Sequence, residues 1–123
     1  MALPHADLTR QILEAFYDVY GCLKWGYPEL LYQRALALAL SDLGLPWERE
    51  VPATVSYRGR TIGVFRLDLV VAATVVVECK VAPRITTAHH AQLLGYLKGT
   101  HYELGLILNF GPEPQLKRLV YRH

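Results

Sequence analysis

The sequence predicts an α/β domain in which a mixed β-sheet is flanked by α-helices. Apolar residues recur at helical spacing in residues 8–43, whereas β-branched residues dominate residues 61–80. A further helical segment then separates this β-rich region from an apolar run at 104–110, as in a strand–helix–strand unit. The predicted order is therefore α-α-β-β-β-α-β, followed by a last edge strand. At 123 residues the chain has the length of a single domain, covering 1–123.

The composition is that of a folded domain, with 52% hydrophobic and 20% charged residues, which argues against disorder. No apolar run approaches the roughly 20 residues that span a bilayer, and the N-terminus lacks the pattern of a signal peptide. We therefore expect a cytoplasmic protein without a membrane partner. The net charge of +2 does not by itself indicate nucleic acid binding. Cys22 and Cys79 match neither CxxC nor a zinc pattern, and we interpret both as small core residues.

The first two elements are predicted helices. Residues 8–20 place one stripe of apolar side chains at helical spacing: Leu8, Ile12, Leu13, Phe16 and Tyr20. Gly21 then opens a short break. The second helix is expected over 28–43, because Pro28 suits a first turn and Gly44 suits the position after a helix.

The middle of the chain predicts three strands, over 49–57, 61–71 and 74–80. Pro52 favours an edge position for the first of them, because proline cannot donate to a strand ladder. Residues 58–60 form the first hairpin turn, and Ala72-Ala73 form a tight second turn. Pro83 ends this run of strands.

The last third of the chain predicts a helix and two strands. Apolar residues at helical spacing place the helix over 86–100, with Thr86 or Thr87 as its cap. A strongly apolar buried strand follows at 104–110, and a last edge strand is expected over 115–121.

Three charged residues interrupt the apolar strands and predict a functional site. Asp68 lies within one strand, and Glu78 and Lys80 end the next. Alternation along a strand directs Glu78 and Lys80 to one face. If the Ala72-Ala73 turn pairs the two strands, residues whose numbers sum to 145 or 146 face each other, which brings Asp68 close to Glu78.

Two carboxylates and an ammonium group on one face suit metal-dependent phosphodiester chemistry. Carboxylates are ligands for Mg²⁺ or Mn²⁺, and such a metal polarises a phosphoryl oxygen and activates a bound water. Lys80 then orients or deprotonates that water, or neutralises charge in the transition state. The alternative is that Glu78 and Lys80 form a structural ion pair while Asp68 caps a turn.

Three further residues could extend this site. Glu29 lies in the first turn of the second helix, where the alternative role is to complement the helix dipole. Gln92 and Tyr96 are four residues apart on one face of the third helix, where the alternative is an ordinary amphipathic helix.

The combined motifs resemble those of the GxxExxY proteins, a small group within the PD-(D/E)XK nuclease superfamily. The motifs that carry the resemblance are Gly26-x-x-Glu29-x-x-Tyr32, Trp47-Glu-Arg-Glu-Val-Pro, the Asp68 strand, Glu78-x-Lys80, Ala91-Gln-Leu-Leu-x-Tyr96-Leu and Gly105-Leu-Ile-Leu-Asn-Phe-Gly111. They extend over nearly the whole chain, from about residue 7 to residue 120.

The resemblance implies a restriction-endonuclease-like core and a metal-dependent nuclease. It implies that Asp68 and Glu78 bind Mg²⁺ or Mn²⁺ and that Lys80 is the catalytic lysine. It further implies that the backbone carbonyl of Cys79 is a metal ligand, and that Glu29 completes the metal site or positions water.

The resemblance also implies which residues contact the nucleic acid. Gln92 and Tyr96 match the Q-x-x-x-Y helix motif of the RecB-like branch, which orients the active site and the nucleic-acid strand. The candidate phosphate contacts are Arg34, Arg66, Arg84 and Lys98, although a role in surface solubility is the alternative for each.

The expected substrate is DNA, with RNA as the second candidate. The small domain leaves little surface to hold a substrate, so we expect a homodimer or a protein partner. A noncatalytic nucleic-acid-binding or assembly module that keeps the fold is the alternative function. The candidate stacking residues are Trp25, Tyr27 and Trp47, for which a place in the core is the alternative.

Overall fold

The computed structural model describes residues 5–123 and has the predicted α/β architecture. Three helices and five strands follow in the predicted order: α1 (Ala6–Leu23), α2 (Glu29–Asp42), β1 (Trp47–Tyr57), β2 (Arg60–Val71), β3 (Val75–Lys80), α3 (Thr87–Lys98), β4 (Leu104–Phe110) and β5 (Pro114–Val120). None of the described helices is long and apolar enough to cross a membrane.

The five strands form one mixed sheet in the order β1-β2-β3-β4-β5. β3 and β4 are parallel and are connected through α3, whereas every other neighbouring pair is antiparallel. β1 and β5 are the edge strands, so Pro52 lies on an edge as predicted. The fold is consistent with the restriction-endonuclease-like core that we expected.

The two faces of the sheet carry separate hydrophobic clusters. One cluster packs α1 and α2 against β2, β3 and β4, with Phe16, Tyr32 and Phe110 among its fully buried side chains. The other packs α3 against the opposite face and contains Leu93 and Leu97. Helices therefore cover both faces of the sheet.

The helices differ from the prediction at their ends. α1 continues through Gly21 to Leu23, and the Lys24 N–H closes it on the Tyr20 carbonyl at 2.9 Å. Glycine inside a helix costs about 1 kcal/mol, which packing of the buried stripe of α1 offsets. Cys22 is exposed, so its assignment to the core was wrong, whereas Cys79 is buried as expected. α3 ends at Lys98, two residues before the predicted end.

The turn between β2 and β3 sets the register of the site. Leu69 pairs with Val77 and Val71 with Val75, which is one of the two registers that we predicted. Ala72 and Ala73 both have positive φ, at 52° and 51°, a conformation that alanine rarely adopts. The register places the next two residues of the strands, Asp68 and Glu78, side by side.

Candidate active site

The carboxylates of Asp68 and Glu78 each bind the backbone of the other strand. Regular pairing of β2 with β3 ends at Leu69 and Val77. Beyond that point, Glu78 Oε1 accepts a hydrogen bond from the Asp68 N–H at 3.2 Å. Asp68 Oδ2 accepts one from the Cys79 N–H at 2.9 Å. The two side chains therefore replace ladder hydrogen bonds and hold each other at the point where the strands diverge.

Burial makes this carboxylate pair difficult to ionise. Glu78 is only 3% exposed, and burial, followed by the nearby charge of Asp68, raises its pKa to about 9. Burial also raises the pKa of Asp68, while the hydrogen bond from Cys79 opposes that shift. Two adjacent buried carboxyl groups favour either a shared proton or a bound cation.

Lys80 faces the pair from the end of β3 and is bound by α3. Lys80 Nζ donates a hydrogen bond to Gln92 Oε1 at 2.6 Å. The positive charge of Lys80 lowers the pKa values of Asp68 and Glu78, so its ammonium group lies within electrostatic range of both. No ion pair joins Lys80 to Glu78 within the described residues, which removes the structural ion pair that we considered as the alternative.

Tyr96 lies one helical turn beyond Gln92, near the acids. Burial, then the charges of Glu78 and Asp68, raise its pKa, while a hydrogen bond with Gln92 lowers it. Gln92 and Tyr96 thus lie with Lys80 on the α3 side of the site.

Glu29 reaches the same site from the first turn of α2. Desolvation is the main cause that raises its pKa, and the charge of Asp68 adds to this. The charge of Lys80 and a hydrogen bond from the Val81 N–H oppose it. The structure therefore brings together Glu29, Asp68, Glu78 and Lys80 from three different elements.

The local sequence around Glu29 explains how it is held there. Gly26 has φ +130°, a conformation that L-residues with side chains rarely adopt. The hydroxyl of the fully buried Tyr32 donates to the Lys24 carbonyl and accepts from the Tyr27 N–H at 3.2 Å. Gly26 therefore allows the turn before α2, and Tyr32 fixes it, so that Glu29 begins the helix beside Asp68.

Asn109, which sequence reasoning missed, fixes the chain beyond Lys80. Its buried amide accepts a hydrogen bond from the Ala82 N–H at 3.0 Å and donates one to the Ala82 carbonyl at 2.9 Å. Gly111 makes this close approach possible, because a Cβ there would lie 2.0 Å from the Ala82 oxygen. A buried asparagine in an otherwise apolar strand was the available signal.

Glu50 is a second residue that sequence reasoning missed. It lies in β1 between two residues paired with Leu69 and Leu67, opposite Asp68, and its charge raises the pKa of Asp68. Its φ of +54° marks a local irregularity of the strand. Such an irregularity depends on the backbone of both strands and has no clear sequence signal.

The other predicted site residues lie farther out. The Cys79 side chain is buried in the cluster beneath α1 and α2, and the role of its carbonyl stays a prediction. Arg84 follows β3, and Lys98 ends α3; both are exposed. Over residues 5–123, no hydrogen bond or ion pair joins either one to the acids. Their contact with phosphate also stays a prediction.

Aromatic and histidine residues around the site differ in their exposure. Trp25 and Tyr27 are 57% and 47% exposed, so the alternative of a place in the core is wrong for both. Trp47 is partly buried and packs against the cluster beneath α1 and α2, in agreement with that alternative. His89 Nδ1 accepts a hydrogen bond from the Thr86 backbone N–H at 3.0 Å, while the backbone N–H of His89 donates to Thr86 Oγ1 at 3.2 Å. This reciprocal pair caps α3 with Thr86, one of the two predicted caps.

The donor chemistry of the site suits a hard divalent cation. In the described part of the chain, no group of three or more His, Cys, Asp or Glu side chains is arranged to hold a metal. The fit therefore depends on the adjacent oxygen donors of Asp68 and Glu78, with Glu29 as a further acid whose pKa is raised by desolvation and by the charge of Asp68. Mg²⁺ is commonly bound by one or two carboxylates and fills its other positions with water or substrate oxygens.

A family model and a solved structure are similar to this chain. A model of the PD-(D/E)XK nuclease superfamily matches residues 6–121, which include every residue of the candidate site. No curated protein matches the chain significantly. A crystal structure of SSO0001 is similar, with a TM-score of 0.48 and 16% sequence identity over 94% of this chain and 78% of that chain.

Proposed function

Since the chain belongs to the PD-(D/E)XK nuclease superfamily, we propose that it is a metal-dependent nuclease that hydrolyses phosphodiester bonds in DNA, with RNA as the second candidate. Superfamily members are usually nucleases and generally use divalent metals. The observation that carries the proposal is the hydrogen-bonded Asp68–Glu78 pair beside Lys80. Burying two acids side by side costs free energy, and a bound divalent cation would offset that cost.

Asp68 and Glu78 are the proposed ligands of Mg²⁺ or Mn²⁺, together with the Cys79 carbonyl and with Glu29 as a further acid. A divalent cation bound there supplies Lewis-acid polarisation of a phosphoryl oxygen and lowers the pKa of a bound water. The high pKa of Glu78 supports this assignment, because a cation would compensate the buried negative charge.

Lys80 is the proposed catalytic lysine. Its ammonium group is directed by the 2.6 Å hydrogen bond to Gln92 and lies near both acids. From that position it orients the attacking water or neutralises charge that develops on the phosphoryl oxygens. Gln92 fixes the direction of the lysine, and Tyr96 contributes a hydroxyl near the carboxylates for the nucleic-acid strand.

We further propose that this chain is one of the GxxExxY proteins within the RecB-like branch. Gly26, Glu29 and Tyr32 support this placement, because each has a distinct part in bringing the acid to the site. Gln92 and Tyr96 support it through their common position beside Lys80. We treat 1–123 as one nuclease domain that acts as a homodimer or with a protein partner.

A noncatalytic nucleic-acid-binding or assembly module is the second candidate. One observation favours it: Asp68 and Glu78 both use carboxylate oxygens to bind backbone N–H groups, as purely structural acids would. A module of this kind requires neither metal binding nor Lys80. The two candidates therefore differ in their dependence on metal.

The test is cleavage of labelled single- and double-stranded DNA with Mg²⁺, Mn²⁺ or EDTA. Asp68→Ala, Glu78→Ala and Lys80→Ala are compared with the wild type, and Glu14→Ala, an exposed acid on α1, is the matched control. Metal-dependent cleavage by the wild type and by Glu14→Ala, but not by the three site variants, supports the nuclease proposal. A folded wild type that binds DNA without cleaving it supports the binding module instead.

A further inference from the structure

The β1–β2 hairpin extends well beyond the rest of the sheet. β2 pairs with β3 only through residues 69–71, whereas β1 and β2 remain paired from Trp47 to the turn at Arg58 and Gly59. We call residues 51–67 the hairpin arm. From Leu67 to Arg60 a strand rises about 20–25 Å, so the arm projects by roughly the width of a DNA duplex past Asp68.

The two faces of the hairpin arm differ in exposure. Val51, Phe65 and Leu67 face the cluster under α3 and are at least partly buried. Ile62 and Val64, which alternate with them along β2, are 67% and 60% exposed. Two β-branched apolar side chains thus remain in solvent on a paired strand, a pattern that marks an interaction surface.

Arginines surround these apolar residues. Residues 51–67 contain Arg58, Arg60 and Arg66, all exposed, and no aspartate or glutamate. The whole chain has a net charge of +2, so the remainder of the chain is net negative while the arm carries +3. The positive charge is therefore concentrated on the arm, and a second copy of the same surface would be repelled.

The hairpin arm is joined to the candidate active site. The Phe65 ring stacks on Tyr96 of α3, with centroids 4.4 Å apart and planes 12° from parallel. Arg66 Nη1 donates to the Glu50 carbonyl at 3.4 Å, beside Asp68. A ligand held on the arm is thus positioned with respect to Lys80 and the acids.

We propose that the hairpin arm binds the major groove of double-stranded DNA and presents the backbone to the active site, an inference that rests on the proposed nuclease function. A two-stranded ribbon fits the major groove of B-DNA, whereas the major groove of A-form RNA is too narrow and deep for side chains to enter. Single-stranded DNA is bound mainly by successive aromatic side chains, and Tyr57 is the only exposed aromatic residue of the arm.

The charged and apolar side chains of the hairpin arm contact different parts of the duplex. Arg58, Arg60 and Arg66 bind phosphates and account for most of the affinity and its salt dependence. Ile62 and Val64 contact the apolar groups of the groove, among them the thymine methyl.

The test is the affinity for a labelled duplex of about 20 base pairs, measured by fluorescence anisotropy in EDTA. The arm variant is Arg58→Ala/Arg60→Ala/Arg66→Ala. The control is Arg10→Ala/Lys117→Ala/Arg122→Ala, which loses the same number of positive charges from exposed positions elsewhere. A third protein carries lysine at the three arm positions, and thermal unfolding verifies that all of them are folded.

We expect the arm variant to bind the duplex at least ~10-fold more weakly, and the slope of log affinity against log salt to fall by about 2 to 3. The control stays within ~3-fold of the wild type, and the lysine variant retains most of the affinity. Affinity for the single strand and for double-stranded RNA changes less. The proposal would be overturned if the arm and control variants lost affinity equally. It would also be overturned if the wild type did not bind the duplex, or if the arm variant bound it as tightly as the wild type.

A small diester separates this inference from the nuclease function. Hydrolysis of bis(4-nitrophenyl) phosphate with Mn²⁺ tests the active site without the arm. An arm variant that still hydrolyses this diester but cleaves duplex DNA poorly supports both proposals. A wild type that binds the duplex through the arm, yet hydrolyses neither substrate, refutes the nuclease alone. If the wild type and the arm variant bind and cleave the duplex equally, the proposed role of the hairpin arm is refuted while the nuclease proposal stands.

Discussion

Glu78 accepts a hydrogen bond from the backbone N–H of Asp68 at 3.2 Å, and Asp68 accepts one from the backbone N–H of Cys79 at 2.9 Å. The two acids therefore hold the strands together at the point where regular pairing ends. They do so in a buried environment that disfavours their ionisation. The arrangement is costly for the metal-free fold, and a divalent cation would offset that cost.

Glu78→Gln is expected to stabilise the metal-free protein. The pKa of Glu78 is about 9 in the folded protein, against an ordinary value of 4.5. Between these values the folded state holds a proton that the unfolded state has lost, so the free energy of unfolding falls as pH rises. Glutamine has no such dependence. At about pH 8 in EDTA, thermal unfolding should therefore show a higher Tm for Glu78→Gln than for the wild type.

The control for this prediction is Glu14→Gln, which changes an exposed acid of α1. Its Tm should follow that of the wild type over the whole pH range. The interpretation of Glu78 as a costly buried acid would be wrong if Glu78→Gln were less stable than the wild type at high pH.

Divalent metal is expected to raise the Tm of the wild-type protein. A ligand that binds only the folded state at 100 times its Kd stabilises it by about 2.7 kcal/mol. Mg²⁺ and Mn²⁺ titrations monitored by thermal unfolding should show this rise, and Asp68→Asn/Glu78→Gln should not. An equal rise in that double variant would place the bound metal elsewhere.

Tyr32→Phe is expected to weaken the fold slightly and the active site strongly. The change removes the hydroxyl that bridges Lys24 and Tyr27, at a cost of about 1–2 kcal/mol in unfolding free energy. Since that bridge positions Glu29, the rate of DNA cleavage should fall at least ~10-fold. The exposed Tyr17 provides the control, Tyr17→Phe. Cleavage at the wild-type rate would show that the bridge does not position Glu29.

Two glycine-to-alanine changes are expected to have opposite effects on stability. Gly111→Ala places a Cβ 2.0 Å from the Ala82 oxygen and should cost about 2 kcal/mol or more. Gly95→Ala, in the middle of α3, meets no atom within 4 Å and should gain about 0.5–1 kcal/mol from helix propensity. Urea unfolding measures both. A neutral Gly111→Ala would mean that the segment after Lys80 shifts without cost.

The order of elements and the pairing of Asp68 with Glu78 were predictable because both follow from local sequence. The alternation of strand residues and a short turn fix which residues face each other, so the register follows within one residue. Helical periodicity likewise predicted α1, α2 and α3, although not their exact ends.

The remaining features depend on contacts between distant parts of the chain. Asn109 binds Ala82 across 27 residues, and Glu50 lies near Asp68 because β1 pairs with β2. α1 continues past Gly21 because its buried face packs on the sheet, which outweighs the low helix propensity of glycine. A polar residue in an apolar strand marks Asn109, but local patterns do not identify the partners in these contacts.

The most direct test of the central proposal compares DNA cleavage by the wild type and by Glu78→Gln in the presence of Mg²⁺ or Mn²⁺, with the Tm of both proteins measured in parallel. The proposal predicts that Glu78→Gln is at least as stable as the wild type in EDTA but cleaves at least ~10³-fold more slowly. Loss of activity then cannot be attributed to unfolding. Cleavage by Glu78→Gln at the wild-type rate, with the same metal dependence, would contradict the assignment of Asp68, Glu78 and Lys80 as the active site.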